Sequence, residues 1–338
     1  MSMRVLLMCP GRGSYSASTL GSLQVESDVL DWLDAFRNSL GRASIRDLDA
    51  ALRVSAKKHV AGENASLLTF AATAADLECL DPDKTRVVAV AGNSMGWYSA
   101  LYASGALELD EAARLIETMG AYQAGNVLGG QVLYPVCDEE WRPSGVGWEV
   151  VNQALEHPEV HLSIKLGGSV VLAGEGEGLR TLMDLPPVKR GTRSYPLKLP
   201  LHSAFHSPVM RGTSERALGE LADLALHSPG VPLVDGTGRV HQPWASADDL
   251  LSYTLVEQVL EPYDFTASVR SAMGEFAPDA VLLPGPGDTL GAPVAQALIS
   301  CGWRGLRDKQ DFFDAQSGPR PVVLSMARED QRALCVLS

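Results

Sequence analysis

The stretch that decides the fold is VVAVAGNSMGWYSAL, from Val87 to Leu101. Its first half is a short β-branched apolar run, typical of a buried strand, and its second half favours a helix. Between them, GNSMG matches G-x-S-x-G, a strand-to-helix turn that raises a serine hydroxyl above the edge of a sheet. Two interpretations of Ser94 follow: a nucleophile, or a polar residue that caps the helix.

A serine nucleophile requires a positioned base, most often a histidine. The chain has seven histidines. Two of them, His202 and His206, lie in LPLHSAFHSPVM (199–210), where a strand-to-turn segment could return a base to the serine. The others lie in polar, loop-like or helix-end sequence that suits solvated side chains: His59, His157, His161, His227 and His241.

The remaining sequence predicts an α/β protein that contains a smaller inserted unit. RVLLMCPGRGS (4–14) predicts a first buried strand followed by a glycine-rich loop. From about Val127 the pattern becomes strand, helix, hairpin, helix and strand, which is of ferredoxin-like type. The sequence therefore predicts a hydrolase-like parallel sheet flanked by helices, formed by residues 1–126 and 200–338, with a ferredoxin-like α+β small domain at 127–199.

The composition limits the possible functions. The chain has 338 residues, of which 46% are hydrophobic, and a net charge of −13, with no cluster of Lys and Arg. We therefore expect neither a nucleic-acid nor a membrane partner. The five cysteines lack metal-ligand spacing, which argues against a zinc site and a disulfide framework and favours a cytoplasmic location. The N-terminal apolar run is too short for a signal segment or a membrane span.

Five segments, in order along nearly the whole chain, resemble the malonyl-CoA:acyl carrier protein transacylases and the related acyltransferase domains of polyketide synthases. PGRGS (10–14) resembles their P-G-Q-G-S loop, GNSMGWYSAL (92–101) their G-H-S-x-G-E-Y-S-A-L segment, and SAFHSPVM (203–210) their A-F-H-S-P-x-M segment. YTLVEQVLEPYDF (253–265) and LLPGPGDTLGAPV (282–294) resemble two later motifs of the family.

The resemblance implies a role for each matching residue. Ser94 would be the nucleophile and His206 the base, while His202 would be structural. The backbone N–H groups of Met95 and Arg12 would form the oxyanion hole. In that family, an acyl group moves from coenzyme A to the serine and then to the phosphopantetheine thiol of an acyl carrier protein, so acyl-CoA and carrier protein are the expected substrates and partners. We expect no bound cofactor and no metal.

The chain departs from the family where the acyl group would bind. Malonyl-specific members have an arginine before a glycine where this chain has Met119. A buried malonyl carboxylate would lack its partner there, at a cost of about 3–5 kcal/mol, which predicts an uncharged acyl group. The alternative is that another cation reaches the carboxylate, and Arg12, which replaces the family's glutamine, is the candidate.

Three further positions remain open to more than one interpretation. Arg12 could instead contact a phosphate of coenzyme A or of phosphopantetheine, or be a solvated loop residue. Asn93 and Trp97 replace a histidine and a glutamate of the family pattern and are candidates for shaping the acyl site. Trp97 either narrows that site or packs beneath the turn.

The sequence thus predicts an acyltransferase of fatty acid or polyketide biosynthesis that uses a Ser94–His206 dyad. The first alternative is an editing thioesterase that strips unwanted acyl groups from acyl carrier proteins with the same dyad, with water as the second nucleophile. The second alternative is a non-catalytic subunit that keeps the fold and binds carrier protein.

Overall fold

The structure, a computed structural model, describes residues 2–337 apart from the side chain of Lys57. In that range the strands are β1 (Met3–Cys9), β2 (Thr85–Gly92), β3 (Gly130–Pro135), β4 (Val160–Leu166), β5 (Ser169–Gly174), β6 (Val188–Arg190), β7 (Arg193–Tyr195), β8 (Leu197–Lys198), β9 (Leu233–Val234), β10 (Val240–His241), β11 (Tyr263–Asp264), β12 (Ala280–Leu283) and β13 (Val323–Ser325).

The α-helices of the described chain are α1 (Asp28–Ser39), α2 (Ile45–Asp49), α3 (Gly62–Glu78), α4 (Gly96–Ala103), α5 (Leu109–Ala121), α6 (Gly145–Ala154), α7 (Gly176–Met183), α8 (Arg211–Glu220), α9 (Ala247–Ser252), α10 (Gln258–Leu260), α11 (Phe265–Phe276), α12 (Gly291–Ser300), α13 (Lys309–Gln316) and α14 (Glu329–Arg332). Short 3-10 turns span Arg12–Ser14, Pro208–Met210 and Trp303–Gly305, and π-helical turns span Ala56–Val60 and Tyr253–Glu257.

The larger sheet has the strand order β10-β9-β2-β1-β12-β13. Along this order, neighbours among β9, β2, β1, β12 and β13 pair in parallel. Strand β10, at one edge, pairs antiparallel with β9. Residues 5–9 of β1 are at most 1% exposed, because helices cover both faces of the sheet. The predicted α/β fold is confirmed, with one antiparallel edge strand that the sequence did not indicate.

Parallel pairing brings two of the sequence motifs together. Cys9, the last residue of β1, lies opposite Gly92, the last residue of β2. The loop at 10–14 and the turn at 93–95 therefore leave the same edge of the sheet side by side, which is where α/β proteins place their sites. A hydrogen bond of 3.0 Å from the Asn93 N–H to the Cys9 carbonyl joins the two connections.

The smaller sheet has the strand order β11-β4-β5-β3-β8. Within residues 127–199, β3, α6, β4, β5, α7 and β8 follow the predicted ferredoxin-like succession, interrupted only by the β6-β7 hairpin. The remaining strand, β11, comes from outside that range and pairs in parallel with β4.

The smaller sheet packs on both of its faces. Val132 of one face joins a separate hydrophobic cluster with Val151 of α6 and Leu182 of α7. On the opposite face, Ile164 and Val171 belong to the main hydrophobic core. The small sheet is thus held between its own helices and the body of the larger sheet.

Among residues 2–337, no helix is both long enough and apolar enough to cross a bilayer.

Candidate active site

Ser94 occupies the sharp turn between β2 and α4. Its φ of +56° lies in the left-handed region, which non-glycine residues adopt rarely and often at functional sites. A Cβ at Gly92 would overlap the main chain of Gly96, and a Cβ at Gly96 would overlap the carbonyl oxygen of Cys9. The two glycines of the G-x-S-x-G pattern are therefore what allows this turn to fit against β1.

The side chain of Ser94 does not cap the following helix. The N-cap position of α4 is Met95, and no side chain bonds there. Ser94 Oγ instead lies 2.7 Å from Nε2 of His206. Of the two interpretations of Ser94, this geometry favours the nucleophile.

His206 is held at a fixed place behind the serine. Its side chain is fully buried, and its backbone N–H donates to the Val259 carbonyl at 2.9 Å. Ring Nδ1 lies 2.5 Å from the carbonyl oxygen of Gln258. Because a carbonyl only accepts hydrogen bonds, the hydrogen-bond pattern assigns the ring proton to Nδ1 and leaves the lone pair of Nε2 for the serine hydroxyl.

Burial also sets the charge of His206. Desolvation lowers the pKa of this imidazole to about 4, against the opposing effect of the hydrogen bond to Gln258. The ring is therefore neutral near pH 7, the state in which it can accept a proton from Ser94.

Gln258 is a site residue to which the sequence analysis gave no role. Its carbonyl orients His206, its Nε2 donates to the Ser94 carbonyl at 3.1 Å, and its Oε1 accepts from the Tyr98 hydroxyl at 3.3 Å. An orienting backbone carbonyl leaves no trace in residue type. The available signal was that Gln258 lies inside YTLVEQVLEPYDF, which resembles a family motif.

Ser94 opens into a cavity of about 280 Å³ between the carboxyl edge of the larger sheet and the smaller sheet. The side of the larger sheet contributes Gly11, Arg12, Asn93, Met95, Met119, Gln123 and Leu290, and the small sheet and its flanking segment contribute Gln131, Leu133, Ile164, Leu166, Val171, Leu199, His202 and Phe205. The wall is mainly apolar, with a few polar groups near the serine, as is usual for small-molecule sites.

Two predicted oxyanion-hole residues line this cavity. Within the described chain, the backbone N–H groups of Met95 and Arg12 donate to no protein acceptor. Both remain available for an oxygen that gains negative charge beside Ser94, so the oxyanion hole stays a prediction that this geometry permits.

Of the three residues predicted to shape the acyl site, the structure places two at the cavity. Met119, on α5, and Asn93 both line it. Trp97 is not among the described lining residues, which corrects its assignment to the acyl site. Its ring is fully buried under the turn, where Nε1 donates to Thr254 Oγ1 at 2.9 Å and the ring meets Tyr253 edge-on.

The second candidate base, His202, lines the cavity but is engaged elsewhere. Its Nδ1 lies 3.0 Å from the Pro200 carbonyl. Burial, together with the nearby positive charge of Arg12, lowers its pKa to about 3.

Among residues 2–337, no group of three or more His, Cys, Asp and Glu side chains is arranged to hold a metal ion.

Comparison with known proteins gives no matching family model. The polyketide biosynthesis protein ThaF of Burkholderia thailandensis is 27% identical over 182 residues, which cover 54% of this chain and 15% of ThaF. The malonyl CoA-acyl carrier protein transacylase of Escherichia coli O157:H7 is 26% identical over 185 residues, which cover 54% of this chain and 57% of that protein. The chain thus spans less than two thirds of the length of either relative.

The fold has neighbours among solved structures. The malonyl-CoA:ACP transacylase of Synechocystis sp. PCC 6803 superposes with a TM-score of 0.73 at 19% identity, covering 98% of this chain and 99% of that one. The sequence relatives and structural neighbours include malonyl-CoA:acyl carrier protein transacylases and polyketide synthase acyltransferases.

Proposed function

We propose that the chain transfers an acyl group from coenzyme A to the phosphopantetheine thiol of an acyl carrier protein, through an acyl ester on Ser94. The observation that carries the proposal is the 2.7 Å contact between Ser94 Oγ and His206 Nε2 at the wall of a mainly apolar cavity. The names of the relatives support coenzyme A, carrier protein and a biosynthetic role in fatty acid or polyketide assembly.

In the first half-reaction, Ser94 Oγ attacks the thioester carbonyl while His206 Nε2 takes its proton. The N–H groups of Met95 and Arg12 would bind the oxyanion, and removing one such donor typically costs about 3–4 kcal/mol of transition-state stabilisation. The carbon–sulfur bond then breaks, and the imidazolium returns its proton to the leaving thiolate of coenzyme A.

In the second half-reaction, the pantetheine thiol enters the same site. His206 removes the thiol proton, the sulfur attacks the ester carbonyl, and the Ser94 oxygen leaves with the proton from the imidazolium. Gln258 keeps the ring in one orientation through both steps. This chemistry needs no resident metal or cofactor, since acyl-CoA and the carrier thiol are substrates.

All five cysteines are free, which supports the predicted cytoplasmic location.

Two side chains at the cavity wall bear on whether the site accepts a charged or an uncharged acyl group. Met119 lies where the resemblance implies an arginine in malonyl-specific proteins, and it supports the uncharged acyl group predicted from the sequence. Arg12, whose side chain carries a positive charge, lines the same cavity and supports the alternative of an acyl group that carries a carboxylate.

Intact-mass spectrometry tests the proposed activity. The protein is mixed in turn with acetyl-, malonyl- and longer acyl-CoA, and we expect an acyl adduct that Ser94→Ala abolishes. Ser99→Ala is the matched control, because Ser99 on α4 is fully buried and its hydroxyl bonds to no other described residue. We expect the control to retain the adduct.

The second stage of the experiment adds carrier protein that bears phosphopantetheine. Movement of the acyl group to the carrier supports the transferase. Decay to free acid, with the carrier unmodified, supports the editing thioesterase instead. Neither an adduct nor free acid, with any acyl-CoA or with acyl-loaded carrier protein as the donor, would contradict both enzymes and favour the carrier-binding subunit.

A further inference from the structure

Arg12 places a buried positive charge in the wall of the cavity that contains Ser94. The residue is 8% exposed and lies in the loop after β1. Desolvation lowers the pKa of its guanidinium to about 10, so the group remains protonated at neutral pH. The interpretation of Arg12 as a solvated loop residue is therefore wrong.

The hydrogen-bond partners of this guanidinium are neutral. Nη1 donates to the side-chain oxygen of Gln123 at 2.5 Å, and Nη2 donates to the Leu201 carbonyl at 2.7 Å. Within residues 2–337, no carboxylate lies within ion-pair distance of Arg12. The other buried arginine of the described chain, Arg37, is by contrast paired with Glu117.

A guanidinium has about five N–H donors, and only two of those of Arg12 are engaged by these contacts. The remaining donors are enough for a bidentate bond to a carboxylate. A buried charge without a counter-ion is unfavourable, so an anionic ligand would remove this cost while an uncharged ligand would leave it.

Two glycines, Gly62 and Gly120, leave space for the Arg12 guanidinium between α3 and the end of α5. A Cβ at Gly62, the first residue of α3, would lie 2.8 Å from Nη1 of Arg12 and 2.9 Å from Cβ of Gln123. A Cβ at Gly120 would lie 2.7 Å from the Gly62 carbonyl oxygen, so α5 approaches α3 closely beside Met119. The arginine that the family pattern puts at position 119 is absent, but the charge reaches the same end of α5 from the β1 loop.

We infer that Arg12 binds the carboxylate of the acyl group, so that the cavity accepts short acyl groups ending in a carboxylate, such as malonyl, even though residue 119 is a methionine. This inference rests on the proposed function, and it opposes the uncharged acyl group predicted from Met119 alone.

A phosphate of coenzyme A or phosphopantetheine would also suit a guanidinium, but the position of Arg12 favours the acyl group. The backbone N–H of the same residue is one of the predicted donors to the thioester oxygen. A malonyl carboxylate lies a single methylene from that carbonyl, whereas the phosphates lie at the far end of the pantetheine chain.

The test compares malonyl-CoA with acetyl-CoA, which carry identical phosphates. The rate of adduct formation on Ser94 is measured for the unmodified protein and for Arg12→Gln, which keeps the backbone N–H. We expect the unmodified protein to prefer malonyl-CoA, and Arg12→Gln to lower the ratio of the malonyl rate to the acetyl rate by about 100-fold or more. Equal losses for both donors would assign Arg12 to a phosphate and overturn the inference.

Gly62→Ala is a second variant that keeps the arginine but pushes its guanidinium aside. We expect it to lower the malonyl rate selectively, and a malonyl preference that survives both variants would overturn the inference. Arg193, an exposed arginine that also lines the cavity, is the cationic side chain with which Arg12 is compared. Selective loss of the malonyl rate in Arg193→Gln, and not in Arg12→Gln, would assign the carboxylate to Arg193 instead.

Binding measurements separate failure of this inference from failure of the proposed function. In the Ser94→Ala background, calorimetry compares the affinities for malonyl-CoA and acetyl-CoA with and without Arg12→Gln, after thermal unfolding has shown that each variant is folded. A malonyl preference that depends on Arg12 supports the inference even if no adduct forms on unmodified protein. Equal affinities for the two donors overturn it even if Ser94 is acylated.

Discussion

The proposed chemistry depends most directly on the protonation state of His206. An imidazole accepts the serine proton only when it is neutral, and an unperturbed histidine with a pKa of about 6.5 is mostly protonated by about pH 5.5. Because burial lowers the pKa of His206 to about 4, the neutral form persists well into the acidic range. The site should therefore work at pH values where a solvated histidine would not.

This gives a prediction for the rate of Ser94 acylation as a function of pH. We expect a nearly constant rate from about pH 8 to about pH 5.5 and a decline only as the pH approaches about 4. Single-turnover labelling with acyl-CoA measures the rate, and circular dichroism at each pH shows that the fold is intact. A roughly tenfold loss by about pH 5.5 in folded protein would mean that the histidine titrates as if exposed.

The Ser94–His206 pair was predictable because both partners lie in local motifs whose residue types report their chemistry. The contribution of Gln258 was not, since it acts on His206 through a backbone carbonyl that any residue could provide. Trp97 was ambiguous for a different reason. Residue identity does not tell whether a side chain after the turn faces the cavity or the core, and this depends on contacts with distant residues such as Thr254.

Helix α5 illustrates how a structural ion pair supports the cavity. Glu117, two residues before Met119, is 6% exposed and lies 3.4 Å from Nη1 of Arg37 on α1. Arg42 also pairs with Glu117, and Arg37 donates to the side chain of Asn64 on α3 at 2.6 Å. These contacts fix α5, and with it the Met119 wall of the cavity, against α1 and α3.

Removing the carboxylate of Glu117 should therefore be costly. We expect Glu117→Ala to lower the free energy of unfolding by about 3–5 kcal/mol, because Arg37 stays buried without its counter-ion. Urea denaturation measures the change. The matched control is Glu177→Ala, which breaks an exposed pair with Arg180 on α7 and should cost less than about 1 kcal/mol. Similar small losses in both variants would show that the buried pair contributes little.

Elements with a clear period were predicted well, and the shortest ones were not. β1 and β2 each carry an apolar run bounded by turn residues, so their type could be read locally. By contrast, β9, β10 and β11 are two residues long, and a pattern of period two cannot be recognised in two residues. Their strand character is decided by pairing with partners that are distant in sequence.

Strand β11 joins the two sheets at the active site. Tyr263 pairs with Ile164 of the smaller sheet, and its hydroxyl donates to the Gly92 carbonyl at the end of β2 at 2.9 Å. The same ring lies edge-on to His206, with 5.4 Å between centroids. Tyr263 thus contacts the base, the strand that precedes the nucleophile and the small sheet. It therefore couples the position of the small sheet to the geometry of the site.

The predicted small domain at 127–199 should consequently fail to fold when produced alone. Without the rest of the chain, β4 loses its partner β11, and the face that carries Ile164 and Val171 loses the main core. A unit of this size rarely gains more than about 3–5 kcal/mol from its core, and this one would expose a large part of it. We expect a poorly dispersed amide NMR spectrum for residues 127–199, whereas amides of the β3-β5 ladder should be protected from exchange in the full chain. A dispersed spectrum with native-like protection would show instead that the insertion is an autonomous domain, whose contacts with the larger sheet serve the cavity rather than its own stability.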